Sequence, residues 1–95
     1  VESTSEIEVT YNIATVRDLL LAGFTGGDLR QLALYTSRPA LKPLIHEFGS
    51  GDGLRTMVEK AITFSQKQDC MADLLAEVEA ANPRQYARFE ARLLA

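Results

Sequence analysis

The apolar residues of this chain repeat with the period of an α-helix, and glycine, proline and capping residues interrupt that repeat at short intervals. From Thr15 onward, Val16, Leu19, Leu20 and Phe24 follow the i, i+3, i+4, i+8 spacing of one helix face. Similar short faces follow to the end of the chain, and short links place neighbouring helices antiparallel. The sequence therefore predicts an all-α fold, a six-helix antiparallel bundle.

Capping residues indicate where three of these helices begin. Thr25 precedes the second helix, and Asp28 three residues later is a shorter form of the capping-box acid. Asn82 followed by Pro83 at the first helical position predicts the start of the last helix. Asp69 is the predicted N-cap of the helix before it.

Two prolines divide the middle of the chain. Pro43 has no N–H to donate to the carbonyl of Pro39, which disfavours one long helix from Pro39. We expect a single turn from Pro39 to Leu41 and a separate short helix from Pro43.

The chain length of 95 residues predicts one domain, spanning residues 13–95. Residues 1–12 are expected to form a flexible or extended lead-in. Ile7, Val9, Tyr11 and Ile13 alternate with polar residues as in a strand, but the sequence offers no second strand for pairing. We expect one or two of these side chains to pack onto the bundle.

The net charge of −3 comes from the N-terminal segment. Three of the 13 acidic residues are Glu2, Glu6 and Glu8, and the other 10 equal the number of lysines and arginines. A nucleic-acid binder would show a basic excess, so we expect no nucleic-acid partner. Near-zero net charge instead favours association between protein surfaces.

The single cysteine, Cys70, excludes an intrachain disulfide and favours a reducing, cytoplasmic compartment. No apolar run is long enough to span a membrane, so we expect no membrane partner. The acidic N-terminus is unlike a secretory signal peptide. Because the chain begins with Val1 rather than Met, we expect it to be part of a longer protein.

The side chains that could carry chemistry are few, and the sequence predicts a protein that is not an enzyme. His46 is the only histidine, and we expect it to lie on the surface or to be partly packed. Cys70 lies near a helix N-terminus, which favours a thiolate, yet a packing role is expected because no histidine is near it in sequence. The ligand spacings of metal sites and the Lys-Ser/Thr ending of a P-loop are missing. The sequence therefore predicts no catalytic, cofactor-binding or metal-binding residues and no cofactor.

Charged residues at four-residue spacing form two stripes, an acidic one and then a basic one. The candidate interaction residues are Asp69, Asp73, Glu77, Arg84, Arg88 and Arg92. Residues four apart share a helix face. In one interpretation the stripes are two solvated faces, which can pair across adjacent antiparallel helices. Each exposed ion pair of this kind contributes about 0–1 kcal/mol to stability. In the other they are complementary patches through which one copy docks onto another.

The helices carry several short motifs of core and capping residues. They are Val16-Arg17-Asp18-Leu19-Leu20-Leu21-Ala22-Gly23-Phe24-Thr25, Asp28-Leu29-Arg30, Arg38-Pro39, Leu44-Ile45-His46-Glu47-Phe48, Met57-Val58 leading through Ile62 and Phe64 to Asp73-Leu74-Leu75, and Ala81-Asn82-Pro83-Arg84-Gln85-Tyr86. In these motifs the chain resembles the bacterial death-like domains, also called effector-associated domains, from about Ile13 to Leu94.

The resemblance implies a bundle of the death-fold type that acts as a non-enzymatic adaptor in bacterial immunity, antiviral defense or programmed cell death. It implies homotypic binding to other death-like domains, which links sensors to effectors and allows homo-oligomers. The domain would be fused to, or would recruit, a protease, a TIR domain, an NTPase or a pore-forming effector.

Two other functions stay open. The turn between Gly23 and Asp28 is compatible with a helix-turn-helix that binds nucleic acid, although the charge balance argues against it. A small enzyme or thiol sensor that uses Cys70 is the third hypothesis.

Overall fold

The computed structural model of the chain describes residues 10–94, and most of these residues are helical. The elements are α1 (Ile13–Gly23), α2 (Gly26–Tyr35), a 3-10 helix (Pro39–Glu47), α3 (Leu54–Lys67), α4 (Met71–Ala81), α5 (Pro83–Phe89) and a closing 3-10 turn (Glu90–Arg92). The prediction of an all-α bundle of six helices is confirmed.

The first two helices begin at capped residues. The Asn12 side-chain oxygen accepts a hydrogen bond from the Thr15 amide at 3.2 Å, so α1 begins at Ile13, earlier than the periodicity predicts. The Thr25 hydroxyl accepts from the Asp28 amide, and the Asp28 carboxylate accepts from the Thr25 amide, both at 3.1 Å. The predicted capping box is therefore confirmed, and it satisfies two amides that the first turn of a helix leaves free.

The apolar faces of the first five helical segments meet in one core. The short helix α5 adds no fully buried residue, but Tyr86 and Phe89 pack against the core and Leu93 beyond them is buried. The buried apolar residues are Val16, Leu19, Leu20, Phe24, Leu29, Leu32, Ala33, Leu41, Leu44, Phe48, Met57, Val58, Ala61, Ile62, Phe64, Cys70, Met71, Leu74, Leu75, Val78 and Leu93.

The segment around the two prolines differs from the prediction. A single 3-10 helix runs from Pro39 through Pro43 to Glu47, so the expected break after Leu41 is wrong. In a 3-10 helix each amide bonds the carbonyl three residues back, so the missing amide of Pro43 leaves the Ala40 carbonyl without that bond. The Cys70 thiol points at this carbonyl, with Sγ 4.0 Å from the oxygen, and compensates weakly for the loss.

The turn between α3 and α4 also differs from the prediction. The N-cap of α4 is Cys70 rather than Asp69, and its side chain makes no capping hydrogen bond. Asp69 instead adopts a positive φ of 54°, directly after the C-cap residue Gln68 of α3. The Cys70 amide bonds the Ser65 carbonyl at 2.9 Å, and the Asp69 amide bonds the Gln66 carbonyl at 3.4 Å. This is a Schellman motif, in which the left-handed residue ends one helix instead of starting the next.

The two ends of the described chain meet. Tyr11 and Leu94 form an isolated antiparallel bridge, and the Asn12 amide bonds the Leu93 carbonyl at 2.7 Å. The strand-like residue Tyr11 therefore has a partner, which the sequence pattern did not indicate. Tyr11 and Ile13 also pack against the core, as expected for the end of the lead-in. Ile7 and Val9, with the rest of residues 1–9, lie outside the described residues.

Candidate interaction surface

The acidic stripe does not form one helix face. Because Asp69 lies in the turn before α4, only Asp73 and Glu77 share a helix. Both of these carboxylates contact Arg38, which directly precedes the 3-10 helix. The Arg38 side chain approaches Asp73 at 3.3 Å and Glu77 at 3.2 Å. Asp73 and Glu77 therefore join α4 to the start of the 3-10 helix.

A buried hydroxyl strengthens this connection. Thr36 is 4% exposed, and its hydroxyl donates to the Glu77 carboxylate at 2.9 Å. The hydroxyl oxygen of Thr36 also accepts a hydrogen bond from the Arg38 amide at 3.1 Å. In the sequence, Thr36 continues the helical spacing of Leu32, and Arg38 belongs to one of the motifs that resemble death-like domains. Neither role indicated a partner, because Glu77 lies about 40 positions further along the chain.

The basic stripe, here called the arginine row (Arg84, Arg88 and Arg92), is exposed. Within residues 10–94 none of its guanidinium groups forms an ion pair, so pairing between the two stripes is wrong. The helix α5 ends at Phe89, so Arg92 lies in the closing 3-10 turn. Its guanidinium carbon lies 4.9 Å from the centre of the Phe89 ring, a cation–π contact. Arg84 and Arg88 are exposed, and within residues 10–94 they are the members of the row with neither an ion pair nor a ring contact.

An open depression of about 450 Å³, here called the α2–α4 groove, lies beside the Thr36–Glu77 contact. Its lining comes from the end of α1, from α2 and from α4: Gly23, Phe24, Asp28, Gln31, Leu32, Tyr35, Thr36, Glu77, Ala80, Ala81 and Asn82. Tyr35 is 76% exposed, which is high for an aromatic residue. The sequence pattern did not indicate this groove. The available signal was Tyr35 itself, an aromatic residue outside the apolar face of its helix.

Two further ion pairs tie the bundle together. Arg17 on α1 makes two hydrogen bonds to Glu59 on α3, and this contact holds the pKa of the Glu59 carboxyl below its usual value. Lys60 lies 2.7 Å from the Asp52 carboxylate, which also accepts the Gly49 amide. These two contacts lower the pKa of Asp52. The lowered pKa values keep both carboxylates ionised, which is the form that pairs with Lys60 and Arg17.

The side chains considered for catalysis are not arranged together. His46 is exposed on the 3-10 helix, whereas Cys70 is 3% exposed. Burial raises the pKa of the Cys70 thiol, which is the opposite of what a reactive thiolate needs. In the part of the chain that the structure describes, acidic, histidine and cysteine residues form no group able to hold a metal ion.

Comparison with protein-family models, with curated proteins and with solved structures found no match for this chain. The resemblance to bacterial death-like domains therefore stays a prediction. Across residues 10–94, each helix is too short or too polar to cross a membrane.

Proposed function

We propose that this chain is a non-enzymatic interaction domain that binds domains of the same or a similar fold. The observation that carries the proposal is the arginine row. Asp73 and Glu77 are used inside the domain by Arg38, while Arg84 and Arg88 face solvent without an ion pair among the described residues. Exposed arginines on an otherwise charge-balanced domain are suited to bind carboxylates of a partner.

The resemblance to death-like domains supplies the biological setting of this proposal. The domain would link a sensor to a protease, TIR, NTPase or pore-forming effector in bacterial immunity or programmed cell death. The reducing compartment favoured by a single cysteine supports a cytoplasmic location. Binding would not involve nucleic acid, because the ten basic residues are matched by acidic ones outside the N-terminal segment.

Charge reversal of the two solvent-facing arginines tests the proposal. In Arg84→Glu/Arg88→Glu we expect at least a roughly tenfold loss of binding to partner domains, since charged interface contacts set affinity and orientation. A pull-down with domains encoded by the neighbouring genes measures the loss of partner binding. Light scattering measures the loss of self-association.

The matched control is Arg55→Glu/Lys67→Glu, which reverses two exposed charges on α3. Circular dichroism establishes that both double variants remain folded. Equal binding by the wild type and by folded Arg84→Glu/Arg88→Glu would exclude the arginine row as the binding surface.

A further inference from the structure

The α2–α4 groove combines three features that suit one kind of side chain. Its lining includes the buried side chains of Phe24 and Leu32 and two small alanines of α4. The exposed Tyr35 ring stands at the rim. The carboxylates of Asp28 and Glu77 also line the groove.

The local charge of the groove is negative. Asp73 and Glu77 share the single guanidinium of Arg38, so one of these two carboxylate charges is not neutralised. Asp28 accepts a backbone amide in its capping box, which leaves its charge in place. Within residues 10–94, neither Lys nor Arg forms an ion pair with Asp28.

An arginine side chain matches this environment. Its aliphatic stem packs on an apolar floor while its planar guanidinium reaches water, a carboxylate or an aromatic face. A guanidinium over a tyrosine ring adds a cation–π attraction that is stronger when the pair is desolvated. A partner segment with an exposed arginine is therefore the occupant that the chemistry of the groove selects.

This chain presents such a segment next to the groove. Asn82 is one of the residues that line the groove, and α5, which carries Arg84 and Arg88, begins at the next residue. Arg84 lies within two residues of Asn82 in its own chain, and Arg92 stacks on Phe89. Arg88 lies further along α5 than Arg84 and, unlike Arg92, stacks on no aromatic ring within residues 10–94.

We infer that the α2–α4 groove of one copy receives Arg88 of a second copy of this chain. Because groove and row are neighbours on one molecule, a two-fold axis lets each copy offer both surfaces at once, which closes the assembly as a dimer. This inference rests on the proposed function and names its partner and its contact.

Gln31 provides the test, because it lines the groove, is exposed and makes no side-chain hydrogen bond within the described residues. In Gln31→Arg a positive charge faces the incoming Arg88, and we expect dimerisation at least about tenfold weaker. Gln31→Glu should strengthen it, and high salt should weaken the wild-type dimer. Light scattering after size-exclusion chromatography measures the mass, with Gln66→Arg on α3 as the matched control.

Mixing two variants tests the two-fold arrangement. Gln31→Arg and Arg88→Glu should each be monomeric at a concentration where the wild type is a dimer. Their equimolar mixture should dimerise, since one contact is then charge-swapped and the other is wild type. The double variant Gln31→Arg/Arg88→Glu should also regain the dimer.

Three results would overturn this inference. They are a wild type that stays monomeric up to about 1 mM, a Gln31→Arg variant that dimerises like the wild type, and assemblies larger than a dimer. The proposed function is judged separately. Loss of partner binding in Arg84→Glu/Arg88→Glu together with normal behaviour of Gln31→Arg would retain the arginine row and reject the groove.

Discussion

At the scale of single residues, the main surprise is the pair Asp69 and Cys70. The sequence places an acid before an amphipathic stretch, which usually indicates an N-cap. In the structure the Cys70 amide donates a hydrogen bond to the carbonyl of Ser65 in the preceding helix. The left-handed backbone conformation of Asp69 makes this bond possible. Cys70 then buries its thiol against the core and the Ala40 carbonyl. Tertiary packing of Cys70 thus decides the role of its neighbour.

The left-handed backbone at Asp69 leads to a stability prediction. A side chain with a Cβ costs about 1–2 kcal/mol in this conformation, less for Asp than for most residues, whereas glycine adopts it freely. We expect Asp69→Gly to raise the free energy of unfolding by about 1 kcal/mol, as measured by urea denaturation. Asp69→Ala serves as the control and should be less stable than the wild type. A lower stability of Asp69→Gly than of Asp69→Ala would contradict the conformational explanation.

At the scale of elements, Asn82 has two roles that the sequence showed only in part. Its side-chain oxygen accepts the Gln85 amide at 3.3 Å, which confirms the predicted start of α5. Its amide nitrogen donates to the Gly23 carbonyl at 2.9 Å, at the end of α1. One side chain therefore begins a late helix and binds the last carbonyl of the first. The second role depends on an approach between residues 59 positions apart.

Two substitutions separate these roles of Asn82. Asn82→Ala removes both hydrogen bonds and should lower the free energy of unfolding by about 2 kcal/mol. Asn82→Ser keeps a capping oxygen but is too short to donate to the Gly23 carbonyl, so its loss should be smaller and should come from the Gly23 contact. Chemical denaturation of both variants measures the difference. Equal losses would mean that the cap contributes nothing in this context.

At the scale of the whole molecule, ion pairs join segments that local patterns treat as separate. Arg38 links the 3-10 helix to α4, Arg17 links α1 to α3 through Glu59, and Lys60 links α3 to the loop residue Asp52. Each pair is partly exposed, so its contribution to stability is small and sensitive to salt. Among the three, only Arg38 contacts a residue that lines the α2–α4 groove, Glu77.

These contacts predict a sensitivity to acid. The folded-state pKa values of Asp52 and Glu59 are lowered by Lys60, by the Gly49 amide and by Arg17. A lowered carboxyl pKa means that the stabilisation is complete above the ordinary values of about 4 and is lost as the pH falls through the folded-state values. We therefore expect the free energy of unfolding to fall steadily below about pH 4.

The variant Asp52→Asn/Glu59→Gln tests the source of this acid sensitivity. It should be less stable than the wild type at neutral pH and should lose less stability on acidification. Urea denaturation at a series of pH values measures both curves. Parallel curves for variant and wild type would assign the acid sensitivity to other carboxylates.

The sequence by itself determined the helices of this protein and most of its core. Periodicity and caps act between residues no more than about four positions apart, so Leu19, Leu20, Thr25 and the capping role of Asn82 could be interpreted from their neighbours alone. The tertiary structure decided which surface charges are free. Arg38, rather than the arginine row, forms ion pairs with Asp73 and Glu77, because folding brings together side chains 35 and 39 positions apart. It also built the α2–α4 groove, since a groove exists only once two helices pack.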